Sequence, residues 1–143
     1  MTSCAKGFAD TCVSSMRAVD TNVVVRLAVR DDKAQVAAAE KYIAERGAWV
    51  SHIVLVEVAW VLESVYELER AQIATAIEML LDQEQLVVQE PDIVAAAARR
   101  LRSGGGSDFA DCMILEVARG AGHLPLATFD RKLAKVEGAV RLR

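Results

Sequence analysis

Five acidic residues in this chain occupy positions that ordinary surface chemistry does not call for. Asp20 follows Met16-Arg17-Ala18-Val19 and precedes Thr21-Asn22. Glu57 sits inside the apolar run from Ile53 to Leu62. Asp108 and Asp111 open the segment Asp108-Phe109-Ala110-Asp111-Cys112-Met113-Ile114, and Asp130 follows Leu126-Ala127-Thr128-Phe129. Other acids, such as Glu40, Glu45, Glu67, Glu69, Asp82 and Glu84, lie where a solvated helix face is expected. Grouped carboxylates repel and raise one another's pKa unless a cation intervenes. A donor set made only of oxygen suits Mg²⁺ or Mn²⁺ rather than zinc. Such an ion acidifies a bound water and polarises a phosphoryl oxygen, and two ions about 4 Å apart can steady both the attacking and the leaving oxygen.

Each acid also has a structural alternative. Asp20, Asp108 and Asp130 stand where a helix N-cap is favoured, and Asp111 would sit at N3 behind Asp108, where the helix dipole favours an acid. A cap can still offer its second oxygen to a metal. Glu57 is the hardest to explain this way. On a helix its neighbours would be Ile53, Val54, Trp60 and Val61, so it is expected to face a buried or half-buried surface. An unpaired carboxylate there is costly, which calls for a metal or an arginine partner. Thr128 could orient a ligand through its hydroxyl or cap.

The elements that must position these residues alternate in type. Short strands are expected at Arg17–Val19, Trp49–Ser51, Leu86–Gln89, Leu124–Thr128 and Val140–Leu142. Helical spacing covers the stretch up to Val29, then Lys33–Arg46, Ile53–Tyr66, Arg70–Asp82, Asp92–Arg102, Asp108–Gly120 and a short Arg131–Val136. This order implies βαβ units and a mostly parallel sheet covered on both faces. Ligands of such sheets bind beyond the carboxyl ends of the strands, where Asp20 and Asp130 fall. Gly104-Gly105-Gly106 reads as a flexible connection. It is no P-loop, because no Gly-Lys-Ser/Thr follows. Residues 1–15 lack clear periodicity and are expected to be a poorly ordered tail to a single domain over 16–143.

Length and composition exclude several classes. One core fits 143 residues, just over half of them apolar and about a quarter charged. No apolar run is long enough for a membrane helix, no signal peptide is evident, and a cytoplasmic location is expected. Three cysteines without a Cys-x-x-Cys pair, and only His52 and His123, argue against a disulfide framework or a thiolate or imidazole zinc site. A net charge of −3 counts against electrostatic nucleic-acid binding. With the five acids neutralised by metal, the remainder carries +2, which could accept phosphate.

Taken in order, Asp20-Thr21-Asn22, Val56-Glu57-Val58, the Asp108–Ile114 run and Thr128-Phe129-Asp130 make the chain resemble the PIN-domain family, most closely the VapC-like toxins of type II toxin–antitoxin pairs. The likeness runs from Met16 to about Arg143. It implies a three-layer α/β fold with a central, mostly parallel sheet of four to five strands flanked by helices. It also implies a Mg²⁺- or Mn²⁺-dependent endoribonuclease, a homodimer and a cognate antitoxin. Asp20, Glu57 and Asp111 would be metal ligands, with Asp130 completing the cluster directly or through water. Asp108 is a further ligand or only a cap, and Thr21, Asn22 and Thr128 would support the ligands.

Two other functions compete. An aspartate-nucleophile phosphatase also ends a strand in Asp, but its pattern is Asp-x-Asp, and Asn22 stands at the third position. A non-catalytic scaffold binding RNA or protein would have no need of the acids. Arg131, Lys132 and Lys135 are candidates for phosphate contacts. Arg99, Arg100 and Arg102 read better as a solvated face, Trp49 and Trp60 as core, and Cys112 as a small buried hydrophobe. With five aromatics besides the tryptophans, no extensive base-stacking platform is evident. The apolar segments Ile53–Tyr66 and Arg70–Leu81 belong to the core, to a second copy or to an antitoxin helix.

Overall fold

A computed structural model describes residues 16–104 and 107–143. The tail expected at 1–15 and the glycines Gly105 and Gly106 lie outside the described residues. In chain order the elements are β1 (Arg17–Ala18), α1 (Thr21–Val29), α2 (Lys33–Arg46), β2 (Ala48–Val50), α3 (His52–Ser64) and α4 (Arg70–Asp82). They continue with β3 (Leu86–Val88), α5 (Pro91–Ser103), α6 (Phe109–Ala121), β4 (Leu126–Thr128), a 3₁₀ turn at Leu133–Lys135 and β5 (Ala139–Arg141).

Local chemistry explains where the helices begin. Asp20, Asp32, Ser51 and Asp108 each accept a backbone N–H three residues on, satisfying donors that a helix start leaves free. Gln72 Oε1 accepts from Glu69 N–H at 2.8 Å at the head of α4, and Pro91 opens α5. Gly47 ends α2 at φ +73, and a Cβ there would lie 3.0 Å from the Gln85 carbonyl oxygen. The tight passage from α2 into β2 therefore requires glycine.

Among the described residues all strand pairs are parallel. β1, β2 and β3 lie side by side in that order, and β4 pairs with β5 in a separate ladder. The α/β class and the parallel pairing thus follow the expectation. The five strands are divided three and two rather than joined in one central sheet. Each strand is only two or three residues long, so few backbone bonds are available to bridge the groups. The 131–136 segment is likewise one 3₁₀ turn, not an α-helix.

One apolar core joins the three-stranded sheet to its helices. Val24, Val50, Leu55, Leu62, Ile77 and Leu101 are fully buried in it. Residues in such positions each contribute about 1.5–3 kcal/mol through burial. α1 packs on α3, α5 packs between α4 and α6, and α3 touches α6. These contacts bring the start of α1, the middle of α3 and the start of α6 to a common region.

An ion cluster reinforces the α5–α6 pair. Glu116 on α6 is buried at 6% exposure and receives Arg100 Nε at 2.9 Å and Arg119 Nε at 3.3 Å. Arg119 also donates to the Glu137 carbonyl at 3.1 Å, which ties α6 to the approach of β5. Arg102 reaches Glu78 at 2.6 Å. Arg100 is therefore held by a buried carboxylate, whereas Arg102 stays on the solvated face and pairs there with Glu78. The sequence offered no sign of this, because their partners are 16 and 24 residues away.

Candidate active site

Asp20 lies directly after β1, and its Oδ1 accepts the Val23 N–H at 3.3 Å, so the capping role is real. The next residue ties the start of α1 to Glu57. Thr21 Oγ1 donates to Glu57 Oε1 at 2.7 Å, across 36 residues. That bond fixes the carboxylate of α3 against the first turn of α1.

The expectation for Glu57 needs correction. It is exposed, not half-buried, because its face of α3 is itself open: Ile53 is 73% and Trp60 64% exposed. The core side of α3 is formed instead by Leu55, Val58, Ala59 and Leu62. Desolvation is therefore no reason for a cation beside Glu57. The same observation overturns the placement of Trp60 in the core.

The second group gathers at the head of α6. Asp108 Oδ1 caps the helix by accepting the Asp111 N–H at 2.9 Å. Asp111 is partly buried, and its pKa is raised above the ordinary carboxylate range, first by desolvation and then by the nearby charges of Asp108 and Asp130. Asp130 comes from the end of β4. Its Oδ1 accepts the Lys132 N–H at 2.7 Å and the Leu133 N–H at 3.2 Å, folding the chain into the 3₁₀ turn, while the Asp130 N–H donates to Thr128 Oγ1 at 3.0 Å. Three carboxylates from two distant segments thus share one electrostatic environment.

A cleft of about 670 Å³ runs between the Thr21–Glu57 pair and the first residue of the second group, Asp108. Thr21, Glu57 and Asp108 line it, with Val56, Trp60, Leu68 and Phe109 as apolar wall. Arg70 also faces it and donates to the Ser107 carbonyl, holding the segment that leads into Asp108. Arg70 was not among the sequence candidates, since its role depends on a contact 37 residues away. Asp20 and Asn22 border a neighbouring cavity of about 600 Å³ on the other side of the α1 start.

The donors fit a hard divalent ion in kind: all are carboxylate or hydroxyl oxygens. Asp20, Asp108 and Asp130 each spend Oδ1 on backbone N–H groups and keep a second oxygen for a ligand. Among the described residues, however, no three such side chains stand close enough together to enclose an ion. Of the five acids, Glu57 and Asp108 line the larger cleft and Asp20 borders the neighbouring cavity, while Asp111 and Asp130 line neither.

The parallel strands with helices between them, and acids at strand and helix ends, define an α/β protein with a carboxylate-lined cleft. The family profile described as PIN domain matches residues 17–139, and the chain belongs to that family. No curated protein and no solved structure matches the chain significantly. Among the described residues no helix is long and apolar enough to cross a membrane.

Proposed function

We propose that this chain is a metal-dependent endoribonuclease acting as the toxin of a toxin–antitoxin pair. PIN domains are typically nucleases that use divalent metal ions, which supports the general reading. The observation that carries it is the electrostatic meeting of Asp108, Asp111 and Asp130, with Asp111 held above its ordinary pKa. Such an arrangement costs stability without a cation, which is the physical reason for a divalent ion to be drawn to it.

In this reading Asp20, Glu57, Asp111 and Asp130 hold Mg²⁺ or Mn²⁺. Asp108 serves first as the cap of α6 and second as a possible ligand. When bound, the metal supplies Lewis acidity to a water and to the phosphoryl oxygen under attack. The chain's own residues do the positioning. Thr21 keeps the Glu57 carboxylate turned toward α1. Thr128 holds the Asp130 backbone, and Arg70 holds the strand of chain entering Asp108. Asn22 lies beside Asp20 on the first turn, where its amide can reach a phosphate or a ligand oxygen.

Partners follow from the apolar surfaces. The cleft wall at Val56, Trp60 and Leu68 suits the apolar face of an antitoxin helix. Ile114 and Val117, exposed one turn apart on α6, suit a second copy of the chain. Purified protein incubated with RNA tests the central claim. Cleavage should stop with EDTA, return with Mg²⁺ or Mn²⁺, and be lost in a folded Asp20→Asn variant. Undiminished cleavage by that variant removes Asp20 from the site, and a trapped aspartyl-phosphate would replace the nuclease with a phosphatase. Light scattering of the purified chain, alone and with its antitoxin, tests the partners.

A further inference from the structure

Phe129 stands at the carboxyl end of β4 between Thr128 and Asp130, and it is 73% exposed. A large aromatic left in water beside a group of site acids has no packing role to explain it. The adjoining segment is unusual in charge as well. Residues 128–143 contain five arginines and lysines against two acids, a side-chain charge of +3, in a chain whose total is −3. The remainder of the protein therefore carries −6. The fold brings the end of the chain back to this segment: Arg141 pairs in register beside Thr128, and the Leu142 N–H donates to the Thr128 carbonyl at 2.8 Å. Lys132 lies just ahead of the 3₁₀ turn, and its backbone N–H donates to Asp130 Oδ1. One small lobe thus carries an exposed aromatic, a net positive side-chain charge and a site acid, while the remainder of the chain is net negative.

We propose that Phe129 is a base-stacking platform for single-stranded RNA, with Arg131, Lys132 and Arg141 taking the phosphates on either side. This rests on the nuclease reading and adds to it the place where the strand lies. Stacking needs an unpaired base with a free face, so a duplex would not be held here. The cations keep the strand on the β4–β5 lobe, and the base on Phe129 fixes which phosphate passes Asp130. Stacking on an aromatic tolerates every base, so the platform sets register along the strand more than sequence.

The test uses the full chain with Asp111→Asn, which leaves bound RNA uncut, as the parent. The probes are a short single-stranded oligoadenylate carrying 2-aminopurine and the same oligomer with abasic positions. Phe129→Ala should weaken binding of the base-containing probe about 5- to 150-fold and abolish the quenching of 2-aminopurine. Phe129→Tyr should restore both, and Phe129→Leu should restore neither. The abasic probe should bind the parent and Phe129→Ala alike, whereas Lys132→Ala should weaken both probes and reduce the salt dependence by about one charge. If the parent binds neither probe at low salt, the RNA reading and this inference fall together. Should the parent bind and Phe129→Ala bind equally well, or lose the abasic probe to the same degree, only the platform is overturned. A change of oligomeric state in Phe129→Ala with RNA binding intact would overturn it too, by assigning the ring to a protein contact.

Discussion

Replacing Asp111 by Asn should make the protein more stable and inactive at once. Asp111 is held partly buried with Asp108 and Asp130 close by, and all three effects disfavour its charged form. Like charges close together near a protein surface repel by roughly 1 kcal/mol or less where water screens them and by roughly 3 kcal/mol at an effective dielectric of about 20. Asp111 is only partly buried and its two neighbours are exposed, so solvent and salt favour the lower end. Two such repulsions then total about 1–2 kcal/mol. The amide is isosteric and can donate to Asp108, so little is lost in exchange. For a domain of this size that corresponds to a rise in Tm of roughly 3–8 °C at neutral pH without metal. The sign with pH is definite. The native state holds the Asp111 proton more tightly than the unfolded chain does. This contribution to stability is fully present below the ordinary carboxylate range and is lost as the pH rises through the raised native value. The advantage of Asp111→Asn should accordingly vanish at acid pH and grow on raising the pH. Millimolar Mn²⁺ should raise the Tm of the wild type and narrow the gap. Calorimetry of both proteins across pH, with and without metal, provides the measurement. A variant that melts no higher than the wild type at neutral pH, or a gap that is the same at acid and neutral pH, would refute the reasoning.

Other outcomes follow from the same structure. Thr21→Val removes the 2.7 Å bond to Glu57 and should lower Mn²⁺ affinity about tenfold, read by calorimetric titration, with little change in Tm. Glu116→Ala leaves Arg100 and Arg119 facing each other without their carboxylate. Because both arginines are partly exposed, the loss should be about 1–3 kcal/mol in urea unfolding rather than the full cost of a buried charge. The Cys112 thiol, 1% exposed and pushed up to about 11 by burial, should resist Ellman's reagent at neutral pH until the protein is unfolded. Leu55→Ala, at a fully buried position on α3, should cost about 2–5 kcal/mol in the same unfolding assay.

The open face of α3 shows where periodicity alone misleads. Ile53, Glu57 and Trp60 follow one another at helical spacing, and apolar residues at that spacing ordinarily mark the core side. Nine of the thirteen positions of α3 are apolar, however, and they run round the helix, so no continuous polar face indicates which side meets solvent. Packing against α1 and α6 made that choice, and it turned Leu55, Val58 and Leu62 inward.

Much of the architecture was determined by the sequence by itself. Alternating helix and strand patterns are local, and short strands separated by helices can pair in parallel only through crossovers, so the α/β class follows. The caps at Asp20 and Asp108 and the burial of Cys112 were likewise decided within a few residues of each. Tertiary structure decided the rest, because it depends on contacts between residues far apart in the chain. Those contacts divide five short strands into ladders of three and two, bury Glu116 between two arginines, and place Arg70 in the cleft. They also bring Asp130 near Asp111, and that proximity turns separate capping acids into one electrostatic group. Coulomb repulsion depends on separation in space, and only the folded chain sets it.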